Sequence, residues 1–282
     1  MFEYLRRVFK MDDSKFEVIW SISKHIFDHK VEDNRLGGRR PTHSMKEILK
    51  AIYWIKDSGA QWKYLPKEFP PRSTVHYWHQ KWSEEGHYDA LHMILVDLVT
   101  EGKNLDDAYI DASFIRSKGA MEEVGTTKCG KGSKLMAIVN EDDIPISLDV
   151  VSASPHESKC VERTLDMKAT ETAPKNLIGD KAYDSDPLDA KLKEERNINM
   201  IAPHKKNRTT PATQNQETLD EKYPNRHRVE NFFAYFQWSR RVLVRYEKKV
   251  VNYLGFALFK ASVVILQKLG FFHSSRKVEV LG

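Results

Sequence analysis

Cysteine is nearly absent from this sequence. Cys129 and Cys160 are its only two in 282 residues, with no CxxC pair and no histidines at zinc-ligand spacing. A disulfide framework and a zinc-finger fold are thereby excluded, and a reducing compartment such as the cytosol is expected. Long uninterrupted apolar runs are missing as well. The most apolar stretch, residues 254–272, is broken by Lys260, Gln267 and Lys268, which predicts a buried helix of a soluble core and no membrane span. The opening Met1-Phe-Glu-Tyr-Leu-Arg-Arg has neither the apolar core nor the small-residue cleavage site of a secretory signal. Internal repeats and low-complexity tracts are lacking too. Neither sign of charge dominates, since 45 Lys and Arg face 40 Asp and Glu for a net charge of +5. That modest excess suits a polyanionic partner without requiring one.

What remains is an ordinary globular composition, 40% apolar and 30% charged, over a length that fits one large domain or a small one followed by a larger one. The first hundred residues read as helical. Phe16, Ile19, Trp20, Ile22, Ile26 and Phe27 share a helical face. A basic turn follows, Arg35-Leu-Gly-Gly-Arg-Arg-Pro41. Ser44 with Glu47 forms a capping box for a helix through Ile48, Ile52 and Ile55, with Gly59 as its stop. After the rigid Pro66, Pro70 and Pro71, Ser73 is expected to cap a helix carrying Val75, Trp78 and Trp82 and ending near Gly86.

The period changes after Asn104. Residues 107–115 alternate, with Ala108, Ile110, Ala112 and Phe114 on one face and Tyr109, Asp111, Ser113 and Ile115 on the other. Strands over 134–140 and 144–151 flank the acidic turn Glu141-Asp-Asp143. A helix over 156–168, a strand over 177–180, a helix over 187–196 and a strand over 198–202 come next. Residues 204–222 read as a surface loop, and a long helix or helix pair is expected from Pro224 towards Tyr246. Three sequential strands followed by alternating helices and strands give an α/β mixed sheet covered by helices. This is the layout of a ribonuclease H-like fold over residues 104–270, preceded by a small all-helical domain over residues 1–100.

Three acids invite chemistry. Asp111 interrupts an alternating strand, where aspartate packs poorly, although a solvent-facing residue of an edge strand would look the same. Asp180 ends a short apolar strand after Gly179, where a plain turn residue is the alternative. Asp184 competes with it, but Asp184-Ser-Asp-Pro187 resembles a helix start and is assigned to capping. Tyr223, Arg226, Glu230 and Gln237 fall on one helical stripe, and an Arg226–Glu230 ion pair on a solvated face is the simpler reading there. Their joint placement raises all three acids. Carboxylates from two strands and a later helix can converge at one sheet edge and supply the oxygen ligands that two divalent ions need.

These residues lie within longer familiar words. Gly38-Arg-Arg-Pro41, Ile55-Lys-Asp-Ser-Gly-Ala-Gln-Trp62-Lys-Tyr-Leu-Pro66, Phe69-Pro-Pro-Arg-Ser-Thr-Val75 and Trp82-Ser-Glu-Glu-Gly86 come first. Tyr109-Ile-Asp111-Ala-Ser113, Ser154-Pro-His-Glu157 and Gly179-Asp-Lys-Ala-Tyr183-Asp-Ser185 follow, and then Tyr223 through Lys248. In this order, over residues 35–265, the chain resembles the bacterial insertion-sequence transposases of the group numbered five, relatives of the eukaryotic Harbinger elements. The resemblance implies a DDE transposase of the bacterial cytosol. Asp111, Asp180 and Glu230 are then its catalytic and metal-binding acids, with Mg2+ (or Mn2+), as two ions, its cofactor. It implies double-stranded DNA as partner, both the element's terminal repeats and the target, and a homo-oligomer on paired ends. The family's last helix carries tyrosine, arginine, glutamate and lysine; Tyr223, Arg226 and Glu230 match, whereas Gln237 replaces the lysine.

DNA contacts are expected from Tyr223, Arg226, Gln237, Arg240, Arg241 and Arg245 at the last helix, and from Arg39 and Arg40 in the basic turn. A helix-turn-helix-like unit over 44–86 would add His76, His79 and Lys81 from its second helix, although Trp78 and Trp82 fit a plain helical core better. Two other readings stand beside this one: a ribonuclease H-like nuclease without strand transfer, and a decayed or domesticated copy that only binds DNA.

Overall fold

The computed structural model describes residues 13–28 and 42–271 apart from positions 120, 210, 212, 214 and 215. The helical part holds α1 (Asp13–Phe27), α2 (Met45–Ser58), α3 (Arg72–Glu84) and α4 (His87–Thr100). The expected capping box opens α2, with the Ser44 hydroxyl accepting from Glu47 N while the Glu47 carboxylate accepts from Ser44 N. Gly59 closes it in the left-handed region at φ 67°. A side chain there is doubly excluded, since its Cβ would meet Arg240 Cβ at 2.7 Å. Ser73 is not a cap. Pro71 holds the N-cap position of α3 and its carbonyl receives Val75 N at 3.1 Å. The connection between α2 and α3 spans residues 59–71 and contains a 3-10 turn, Trp62–Tyr64, far longer than the three or four residues of a helix-turn-helix.

The sheet is built from β1 (Asp107–Ser117), β2 (Gly125–Thr127), β3 (Gly130–Asn140), β4 (Pro145–Ser152), β5 (Asn176–Ile178), β6 (Asn199–Ile201) and β7 (Val244–Arg245). Its five principal strands run in the order β4-β3-β1-β5-β6, the first three antiparallel and the last two parallel to β1. This is the mixed sheet of a ribonuclease H-like fold. Strand β1 is central, so Asp111 does not lie on an edge strand. Helices α5 (Val161–Asp166) and α6 (Asp186–Arg196) link the later strands, and α8 (His227–Phe236) packs on β1 and β3. The last helix, α9 (Val250–Lys268), lies against α3, α4 and β4. It is the one helix among the described residues long and apolar enough to cross a membrane, and 83% of its apolar window is buried inside the fold.

Two segments differ from the sequence expectation. The stretch read as a loop over 204–222 ends in α7 (Gln216–Lys222), fixed by an ion pair from Lys222 to Asp107 at 2.7 Å. Its first part is held by Asp184, which accepts from Arg208 at 2.7 Å, Lys205 N at 2.8 Å and His204 at 2.9 Å. Asp184 is therefore a loop anchor and not a helix cap. The long helix or helix pair expected from 224 towards 246 is instead one short helix between 3-10 turns, followed by a strand. Tyr223–Arg226 is a 3-10 turn around Pro224, α8 ends at Phe236, and β7 adds to the free edge of β1 at Arg116 and Ser117.

The chain leaves α8 because its next polar side chains are anchored inside the protein. Ser239 donates to Asp57 at 2.6 Å and meets buried Lys56, which also pairs with Asp57. Arg241 is ion-paired to buried Glu247, donates to Ala60 O at 3.1 Å and lies between Trp62, Tyr246 and Phe256. Arg245 is wholly buried and donates to Glu122 O, Ser133 Oγ, Glu247 O and Lys248 O. Removing one partner of a buried pair leaves an uncompensated charge. Arg241→Ala is therefore expected to lower the unfolding free energy by about 3–5 kcal/mol in chemical denaturation. Wild-type stability in that variant would refute the internal role.

Two histidines are buried in neutral form. His79 stacks on Phe256 at 4.0 Å and bridges the Tyr88 hydroxyl and Asn252 O, and burial pushes its pKa down to about 3. His92 donates to Pro145 O at 2.7 Å, and burial takes it to about 4. With folded pKa values below the unfolded one, the unfolded chain binds more protons from the ordinary histidine range down to about pH 4. Stability should be full above that range and fall on acidification, by up to about 1.4 kcal/mol per pH unit for each histidine. Urea unfolding at pH 7 and pH 5 checks this, and equal values would contradict it.

Candidate active site

Strand register brings the two aspartates together. Beta strand β5 pairs in parallel with β1 at Asp107–Asn176, Ala108–Leu177 and Tyr109–Ile178 and then ends. Asp111 and Asp180 each lie two residues past the last matched pair. The period of two puts them at the same level and on the same face. On that edge β1 then stays unpaired until β7 joins at Arg116, so Asp111 sits in an opening between two neighbouring strands. Asp180 is extended and its Oδ1 accepts from Ala182 N at 2.7 Å, which caps the 3-10 turn Lys181–Tyr183. Gly179 before it must lack a side chain, because a Cβ would meet the Tyr183 ring at 2.5 Å.

The third acid arrives on α8, in the first turn, where a carboxylate suits the helix dipole. Arg226 joins it to Asp111. Its Nη1 donates to Asp111 Oδ2 at 3.0 Å and its Nη2 to Glu230 Oε1, with the guanidinium 6.0 Å from the Tyr223 ring centre. The simple intrahelical pair expected between Arg226 and Glu230 exists, but the same arginine also ties the helix to the strand. Burial raises the pKa of Asp111, and the charge of Asp180 adds to this. The Ala112 N–H and Arg226 oppose it.

Further residues lie in the same field. Glu157, in the 3-10 turn Glu157–Lys159, is raised by burial and by the charges of Asp180 and Asp111, against the opposing pull of Lys134. Tyr183 is fully buried and senses Glu157, Asp111 and Asp180. His156 caps its own turn through Ser158, and burial and the neighbouring Lys205 and Lys134 lower its pKa. Glu157, Lys134 and Tyr183 had no role in the sequence reading. For Glu157 and Tyr183 the available signal was membership of the words Ser154–Glu157 and Gly179–Ser185, the second of which also carries Asp180; Lys134 lies in neither.

All the acids offer hard oxygen donors, which suit Mg2+ or Mn2+ and not softer metals. The accumulation of carboxylates in a partly buried opening, with an arginine as the counter-charge, fits a cation site in its chemistry. Among the described residues, no three donors already close around one point.

The residues expected to touch DNA divide. Tyr223 and Arg226 flank the acids and are partly exposed, while Gln237, at the end of α8, and Arg240 are exposed. His79, Arg241 and Arg245 are corrected: all three are buried and bonded internally, so none presents its side chain to a duplex. His76 is half-buried, edge-on to Trp62 at 5.0 Å. Lys81 lies over the Trp78 ring at 4.9 Å and stays partly exposed. Arg39 and Arg40 lie outside the described residues.

The chain matches known families in two segments. Residues 17–92 match the family of IS4/5-type transposases (DUF4096), and residues 105–259 match the transposase DDE domain. No curated protein matches it in sequence. Similar solved structures include a piggyBac transposase synaptic complex with hairpin DNA. It has a TM-score of 0.46 at 10% identity, covering 94% of this chain and 75% of that one. The Mos1 strand transfer complex gives 0.25 at 9% identity, covering 83% and 79%. The assignment rests on the family matches, the second of which spans more than half of the chain: this protein belongs to the DDE transposases, of the IS4/5 type.

Proposed function

We propose that this transposase binds the terminal inverted repeats of its element, hydrolyses the DNA at their ends and joins the freed 3′-hydroxyls to target DNA. Asp111, Asp180 and Glu230 are the acids of this reading. The observation that supports it is the matched register of Asp111 and Asp180 beyond the end of β5, with Arg226 linking Glu230, on α8, to Asp111. Family membership implies dependence on a divalent cation. We take it to be Mg2+, as two ions. Bound there, it supplies activation of the attacking oxygen and charge neutralisation at the leaving one.

The chain's own residues then have distinct tasks. Asp111 and Asp180 would hold the cation that meets the reacting phosphate, their own positions being fixed by strand register and by backbone N–H bonds. Arg226 neutralises the carboxylates before DNA arrives and is free to meet a phosphate once they are otherwise engaged. Tyr223, Gln237 and Arg240 line the approach along α8. Lys81, with the exposed Tyr77 on the same helix, gives the helical N-terminal region, residues 1–100, a phosphate-contacting face, and Arg39 and Arg40, outside the described residues, are further phosphate contacts on the sequence reading alone. We place this activity in the bacterial cytosol, and coordinated cutting of two ends calls for at least two copies.

Labelled DNA carrying the element's ends tests the assignment. Asp180→Ala should reduce Mg2+-dependent nicking by about a thousandfold, the equivalent of several kcal/mol of transition-state stabilisation. Undiminished cutting by the variant would remove Asp180 from the centre, and end binding without cutting by the wild type would mark a copy that only binds DNA. Gln237→Lys restores a positive charge on an exposed turn and should tighten binding to end DNA with a steeper salt dependence. Unchanged affinity at low and high salt would show that position to be silent.

A further inference from the structure

Glu157 stands next to the proposed centre in space and follows β4 in the chain. The 3-10 turn that bears it packs against the turn capped by Asp180. Its Oε1 lies 3.4 Å from Lys134 Nζ, and that ammonium is itself held by Pro155 O at 2.8 Å. Lys134 sits on β3 opposite Phe114, three residues along β1 from Asp111. In direct ion pairs at this end of the sheet, Arg226 serves Asp111 and Glu230, and Lys134 serves Glu157. With Asp180, four carboxylates thus share two cationic partners, leaving an excess equal to the charge of one divalent ion.

A second observation points the same way. The Tyr183 hydroxyl is completely buried and has no hydrogen-bond partner among the described residues, and it lies within the electrostatic reach of Glu157, Asp111 and Asp180. A buried hydroxyl is rarely left unpaired. Mg2+ characteristically keeps part of its water shell when bound by few carboxylates, which gives this hydroxyl a partner when the ion is present.

We infer that Glu157 is a fourth carboxylate of the catalytic centre and holds the divalent cation together with Asp111 and Asp180, an inference that rests on the metal-dependent reading above. Lys134 and Arg226 are the ion-pair partners of Glu157 and Asp111 in the present arrangement, and the cation takes their place. Glu230, exposed on α8, then completes the set when Arg226 turns to DNA.

Mn2+ alone, titrated into the full chain and followed by the loss of the free-ion electron paramagnetic resonance signal, tests this without any turnover. Glu157→Gln should weaken Mn2+ binding at least about tenfold. Glu157→Asp keeps the charge but shortens the reach; it should weaken binding too, and it stands in if the glutamine variant does not fold. Asp180→Asn is the control. Wild-type affinity in folded Glu157→Gln or Glu157→Asp, with a loss in Asp180→Asn, overturns the role of Glu157 alone. Wild-type affinity in Asp180→Asn as well overturns the metal-dependent reading beneath it.

Discussion

The site depends on how soon β5 stops. Only three residues of that strand pair with β1, and the unpaired stretch of β1 beyond them is where Asp111 lies. A longer β5 would close the opening, and a shift by one residue would turn Asp111 to the opposite face from Asp180. The chain enforces the stop through Gly179 and Asp180. Bare backbone at Gly179 admits the Tyr183 ring, and Asp180 uses its own carboxylate to cap the turn that follows. The residue that ends the strand is thus also one of the acids.

The third acid is held from further away. Helix α8 is amphipathic, with Val229, Phe232, Phe233 and Phe236 buried and Glu230 exposed, so its rotation is set by the core. Its far end is set by the helical region. Asp57, at the end of α2, reaches Ser239, and the backbone of Ala60 receives Arg241. Buried ionic contacts of this kind are weak evidence for net stability but hold one geometry against alternatives. The hydrophobic core runs without interruption from Phe16 to Leu266, and α9 packs on both the helices and the sheet. The N-terminal helices are thereby tied to the far end of α8 through one continuous core and the Asp57–Ser239 and Ala60–Arg241 contacts.

Much of this was legible in the sequence where a local rule governs. The capping box at Ser44 and the stop at Gly59 are contacts within a few residues, and the alternation of β1 shows in its side chains. The unusual aspartate in that strand and the acid after Gly179 could also be located, whereas the register that sets them side by side is a property of two strands whose paired residues are 69 positions apart. The errors share a cause. Arg241, Arg245 and His79 look like surface residues until buried partners such as Glu247 and Asn252, supplied by the fold, take up their donors. The break after α8 follows from the same long-range anchors, and so does the work of Asp184, whose partners lie about twenty residues ahead. Glu157 was hidden because nothing local separates a glutamate in a loop from one that faces two aspartates.

The proposed function requires Asp111 and Asp180 to form one cation site at the end of β5. Anomalous diffraction from crystals of the protein soaked in Mn2+ measures this directly. A manganese peak between the two carboxylates, with Arg226 displaced from Asp111, is the expected result. A fully occupied manganese site elsewhere, with the Asp111–Arg226 pair intact, would contradict it.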